Sequence, residues 1–316
     1  MNWIEWARGR SIGGSLRRGS LVLALAAWAL PASATTIAFL TPAGVARRLH
    51  DGLDEQARAR GVATRFAYAP DGAGDEQIAQ ARRLIAERAD ALVVVPVDSA
   101  AREEIIRLAL EADVPLVLIG HGARTDWFAG RVTQVVPSDL VAGRLQMRKL
   151  AQMSGGAGRV AILAGSATDP VSALRSRGAR EVLAESPRLR LVAEAATDAS
   201  RATARATVAG WLARGIGIDA IAATSDEMAL GAAEAVEAAR IPAGRIRIGG
   251  VDATAEGMQA MQDLRLAVTI FQDAGVQGRR AVDDALALIR REPVPPSDWV
   301  PSELITDRMS TTHFSR

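Results

Sequence analysis

The sequence predicts an α/β protein of two doubly wound parallel-sheet lobes, and three observations predict it. From Thr36 onward, short β-branched or aliphatic runs alternate with longer segments of helical periodicity, the pattern of βαβ units on a parallel sheet. The rhythm restarts near Val160 with units of similar size, as two consecutive doubly wound lobes would require. The chain has 316 residues, enough for about two domains of ~150, and its 49% hydrophobic and 23% charged content excludes disordered and collagen-like classes.

In chain order, strands are expected at residues 36–40, 62–68, 91–95, 115–119 and 134–136. Helices fall near 45–60, 75–88 and 100–112, between the first four strands. The middle helix shows the logic: Ile78, Ala81, Leu84, Ile85 and Arg88 recur at three- and four-residue spacing, and Asp75 and Glu76 stand at its positive N-terminal end. The second set reads as strands at 160–163, 189–195, 220–223, 246–249 and 267–271, separated by helices near 171–186, 200–214, 226–239 and 253–263. A last helix at 274–290 and a Pro-rich stretch at 293–301 precede a terminal strand near 303–306. No repeat of 20–50 residues stands out.

Residues 1–34 read as an address. Arg8, Arg10, Arg17 and Arg18 form a basic leader, residues 21–30 an apolar run, and Ala32-Ser33-Ala34 a small-residue cleavage site. Ten apolar residues are too few to span a bilayer, which takes ~20. The expectation is a cleaved signal and a mature start near Thr35, with twin-arginine export through Arg17-Arg18 as the alternative. Removing four arginines and one glutamate with the leader turns the formal charge of +2 into −1. That balance argues against a nucleic-acid or membrane-surface protein.

Several chemistries lack their residues. There is no cysteine, which excludes disulfides, thiolate metal sites and thiol catalysis. Gly155-Gly156-Ala157-Gly158 ends a helix and precedes a strand, the wrong order for phosphate capture at a helix N-terminus, and the single lysine, Lys149, lies mid-helix. His50, His121 and His313 are the only histidines, and no Gly-x-Ser-x-Gly elbow occurs, so a catalytic triad has little to build on. Asp71, Asp75 and Asp139 read as turn or cap residues.

Five segments, in order, resemble the ribose-type periplasmic sugar-binding proteins. They are Val93-Val94 with Pro96-Val97-Asp98-Ser99, Leu174-Arg175-Ser176-Arg177-Gly178, Thr224-Ser225-Asp226-Glu227-Met228-Ala229-Leu230-Gly231, Gly249-Gly250-Val251-Asp252 and Val268-Thr269-Ile270-Phe271-Gln272. The resemblance covers essentially all of the chain after the leader. It implies a type I periplasmic-binding-protein fold with a three-crossing hinge near 137–139, 272–273 and 295–301. One lobe would hold residues 35–137 and 273–297, the other 138–272 and 298–316. The lobes would close on a ligand beyond the carboxyl ends of their strands.

The resemblance carries four candidate ligand residues onto the second lobe: Arg175, Ser225, Asp252 and Gln272. Arg175 would offer a fixed fork of donors to hydroxyls or a carboxylate. Asp252 would accept from hydroxyls, and Gln272 would donate and accept at a crossing. Ser225 stands where the family has asparagine. Plainer alternatives are a solvated helix charge for Arg175, helix caps for Asp252 and Ser225, and a hinge-surface role for Gln272. In the first lobe the family's aromatic pair is absent from residues 41–46, leaving Thr41 as a candidate. Gly120-His121 replaces an Asp-Arg pair, leaving His121 as a candidate or a solvated loop residue. Trp127 and Phe128 would replace the lost stacking surface or cover the lobe's own core.

The expected function is a non-enzymatic, monomeric periplasmic binding protein, without cofactor or metal, that delivers a small polar ligand, a sugar or sugar-like molecule, to a transporter permease. The alternative is a ligand sensor for a membrane histidine kinase or chemoreceptor. The depleted first-lobe site implies weak binding of ribose, galactose and xylose. A lactose-type repressor is disfavoured, because a secretion leader stands where its DNA-binding helices would be.

Overall fold

A computed structural model describes residues 34–306 apart from 46, 121–127, 129 and 167; the expected leader and the candidates His121 and Trp127 lie outside the described residues. The first lobe runs β1 (Thr36–Pro42), α1 (Arg47–Ala59), β2 (Ala63–Ala69), α2 (Gly74–Ala86), β3 (Ala91–Val94), α3 (Ser99–Glu111), β4 (Leu116–Ile119) and β5 (Val132–Pro137). The second runs α4 (Asp139–Met153), β6 (Gly158–Ala164), α5 (Pro170–Ala184), β7 (Leu189–Ala196), α6 (Arg201–Ala213), β8 (Ala220–Ala223), α7 (Asp226–Ala238), β9 (Arg247–Gly249), α8 (Ala255–Gln262) and β10 (Thr269–Gln272). The chain returns to the first lobe with α9 (Ala274–Ile289) and β11 (Ser297–Val300), and the last described element, β12 (Ser302–Ile305), is in the second.

The first sheet is entirely parallel, in the order β11-β5-β4-β3-β1-β2. Its central strands are buried on both faces, which is why they read as continuous aliphatic runs. Ile37, Phe39, Val93, Val117 and Ile119 pack under α1 and α9, and Ala38, Leu40, Leu92, Val94 and Leu118 over α2 and α3. The second sheet, β7-β6-β8-β9, is also parallel, covered by α4 and α5 on one face and by α6, α7 and α8 on the other. β10 and β12 form an antiparallel pair against this lobe. Among the described residues no helix is long and apolar enough to cross a membrane, and no cluster of His, Cys, Asp and Glu could hold a metal ion.

One segment differs from the sequence reading. Residues 297–300, expected in a Pro-rich linker with 298–300 assigned to the second lobe, form β11 and pair with β5 of the first sheet. Ser-Asp-Trp-Val has no alternating apolar pattern, and it serves as a strand because it lies at an edge, where the flanking prolines cost no ladder bond. The third crossing is therefore confined to Pro301, between β11 and β12.

Candidate functional site

The carboxyl ends of β8, β9 and β10 converge on one side chain of α5. Asp169 caps that helix by accepting from the backbone N–H groups of Val171 and Ser172, with Pro170 opening its first turn. The Ser172 hydroxyl bonds that of Thr224 at 2.9 Å, fastening the helix start to the end of β8. One turn on, Arg175 is 5% exposed, and its guanidinium meets four partners. Nε donates to Asp139 Oδ1 at 3.0 Å, Nη1 to the Thr224 carbonyl at 2.8 Å and to Asp252 Oδ1 at 2.9 Å, and Nη2 to Gln272 Oε1 at 3.0 Å. The amide end of Gln272 donates back to Asp139 at 3.3 Å, which orients the carboxamide. A buried guanidinium is tolerable because two carboxylates and two neutral acceptors surround it.

Asp252 occupies an unusual backbone position. Its φ is +111° and that of Ala253 is +48°, left-handed conformations that side chains rarely adopt. Pairing of its N–H with the Ile270 carbonyl holds it there, and Ala253 N–H donates to the Thr269 hydroxyl. Such strain costs on the order of 1–3 kcal/mol and concentrates at functional sites. The Asp252 side chain keeps 39% of its surface exposed, toward the cleft. Thr254, not Asp252, caps the following helix. Beneath it, Asp226 is fully buried and accepts from Thr254 N–H and both the Thr254 and Thr269 hydroxyls. Burial pushes its carboxyl up to about 6, with the Asp252 charge adding and the threonine bonds opposing.

A cavity of about 240 Å³ lies between the lobes at the strand ends. Asp252 and Gln272 line it from the second lobe and the hinge. Leu49 of α1, Val95 after β3, Ile119 and Gly120 at the end of β4, and Ala274 and Gln277 of α9 line it from the first. It falls just below the ~300 Å³ at which drug-sized pockets begin, so it suits one monosaccharide-sized molecule. A second cavity, of about 250 Å³, lies at the far end of the second sheet under α7 and α8 and gathers none of these groups.

The structure thus brings Arg175, Asp252 and Gln272 into one cluster at the cavity. Ser225 is beside the cluster, but its hydroxyl accepts from Met228 N–H and caps α7. Thr41 is buried, with no partner for its hydroxyl, and is not among the cavity's lining residues. Phe128 is 45% exposed and also does not line the cavity. Two residues escaped the sequence reading. Asp139 was read as a turn or cap residue; it opens α4, is 2% exposed and grips Arg175. Gln277 heads the buried stripe Gln277, Ala281, Ala285 and Leu288 of α9. A polar residue leading an apolar stripe just past a crossing was the available signal.

Two parallel-sheet lobes, crossed three times, with a polar cluster opening into the cleft at their strand ends, define a two-lobed solute-binding protein. Residues 34–293 match the family described as "Periplasmic binding protein domain", and the chain belongs to that family, whose members are solute-binding proteins rather than enzymes. It is 31% identical over 262 residues to a Rhizobium meliloti protein named for rhizopine binding, covering 82% of this chain and 84% of that one. It is 27% identical to the ribose import binding protein RbsB of Bacillus subtilis over 261 residues, 82% of each chain. An ABC transporter solute-binding protein from Bacillus halodurans, solved with bound myo-inositol, superposes with a TM-score of 0.74 at 27% identity, covering 90% of this chain and 98% of that one.

Proposed function

We propose that this protein takes one neutral, monosaccharide-sized polyol, a sugar or cyclitol, into the cleft, closes on it, and presents the closed form to the permease of an ABC importer. The observation that carries the reading is the Arg175 cluster, which arrives at a cavity of that size with Asp252 and Gln272 already oriented. The names of the relatives support a hydroxylated ligand. The protein works in the periplasm as a monomer after loss of residues 1–34. Arg175, Asp252 and Gln272 form the polar wall against which hydroxyls bind. The test is a thermal-shift screen with D-ribose, D-allose, xylitol and myo-inositol, followed by calorimetry and small-angle scattering on any that bind. A ligand present at 100 times its Kd adds ~2.7 kcal/mol of stability, which a melting curve resolves easily. The expected result is saturable binding of at least one of the four, with a smaller radius of gyration at saturation. No binding by any of them refutes the reading.

A further inference from the structure

We infer that Gln277 is the first lobe's ligand-reading residue, recognising one hydroxyl of a neutral polyol through its carboxamide; the inference rests on the reading of the cleft as a polyol site. Four buried glutamines are described, and the other three have their amides engaged. Gln77 donates to the Val95 carbonyl and accepts from Val97 N–H, Gln134 donates to the Ser297 hydroxyl, and Gln146 donates to the carbonyls of Ala223 and Gly250. Gln277 is 7% exposed, lines the cavity, and has no protein hydrogen bond to its carboxamide. Its carboxamide opens to the cavity rather than into the core and is bonded to nothing in the fold, so folding alone gives no reason to keep an amide there. It lines the same cavity as Asp252 and Gln272, from the first lobe.

The surroundings sharpen the chemistry. Of the described lining residues from the first lobe, Leu49, Val95, Ile119, Gly120 and Ala274 offer only apolar side chains or none, and Gln277 alone carries a polar one. A carboxamide both donates and accepts, so it pairs with a hydroxyl in either direction and adds no charge. The aliphatic wall meets the carbon skeleton without ring stacking. A site built to bond a hydroxyl strongly rejects the analogue lacking it, because its own polar group is then left unpaired.

The experiment titrates wild type and Gln277→Met with D-ribose, D-allose, xylitol and myo-inositol, and continues with the tightest binder and its monodeoxy analogues. We expect Gln277→Met to weaken that binder tenfold or more, while the melting temperature of the unliganded protein stays level or rises. One deoxy analogue should bind wild type and variant equally, the signature of a shared hydroxyl. Affinity unchanged within twofold overturns the assignment while leaving the polyol reading intact. A lower unliganded melting temperature with unchanged affinity does the same, revealing a packing role. Failure of all four probes to bind wild type overturns the polyol reading and the assignment with it.

Discussion

The two walls of the cleft stand on similar frames and treat their polar groups in opposite ways. In each lobe a helix pair flanking the cleft packs backbone to backbone. A Cβ on Gly143 of α4 would come within 1.9 Å of the Arg175 carbonyl oxygen, and one on Gly52 of α1 within 2.3 Å of that of Gly275. On the second wall the site residues are bound to one another: Arg175 joins Asp139, Asp252, Gln272 and the end of β8. On the first wall the described surface is aliphatic, with one unpartnered amide. The second wall's polar groups are therefore part of what holds the lobe folded, whereas the first wall's polar group adds no hydrogen bond to the fold. Preorganisation of this kind lowers the ordering cost of whatever binds against the second wall.

The largest expected effect is on the wired wall. Arg175→Ala takes the guanidinium counter-charge from the buried Asp139 carboxylate and should cost about 3–5 kcal/mol of stability, read by chemical denaturation, in addition to ligand affinity. A loss below about 1 kcal/mol would show that the cluster is not part of the folding core and would break the contrast with Gln277→Met. Next come the frames. Gly143→Ala and Gly52→Ala each force a helix pair apart and should each cost about 1–3 kcal/mol. Costs differing by more than about 2 kcal/mol in the same assay would show that the frames are alike only in outline.

The smallest effect concerns the first lobe away from its cleft wall. Asp284 of α9 has an Oδ2 without a partner, and burial, with the nearby charges of Asp298 and Asp283 against that of Arg280, raises its carboxyl to about 7. The folded protein thus holds this proton over a range where the unfolded chain has lost it. Stability contributed by the site is greatest at low pH and falls as pH rises from about 4 to 7. After discounting for partial exposure, Asp284→Asn should be more stable than wild type by about 1–2 kcal/mol above pH 7 and equal to it near pH 4. Melting curves at the two pH values decide it. A gain at pH 4 as large as that at pH 8 would trace the effect to packing.

Much of the fold could be read locally, because periodicity is a property of neighbouring residues. The aliphatic strands, the stripes of the helices and the motifs all lie within windows of a few residues, and it was the resemblance of those motifs to the family that led to Arg175, Asp252 and Gln272. β11 escaped because an edge strand needs no apolar alternation. What the sequence determined by itself was the alternation of elements, their division into two sets, the family resemblance and the residue types at the strand ends. Tertiary structure decided which of them meet. Arg175 joins Asp252 from 77 positions away and Gln272 from 97, and Asp139, which looked like a cap, became the buried counter-charge between them. Gln277, unlike Gln77, has no partner after the chain has packed and lines the cavity. Hydrogen bonding between distant side chains depends on the register of helices against sheets, and local periodicity does not encode that register.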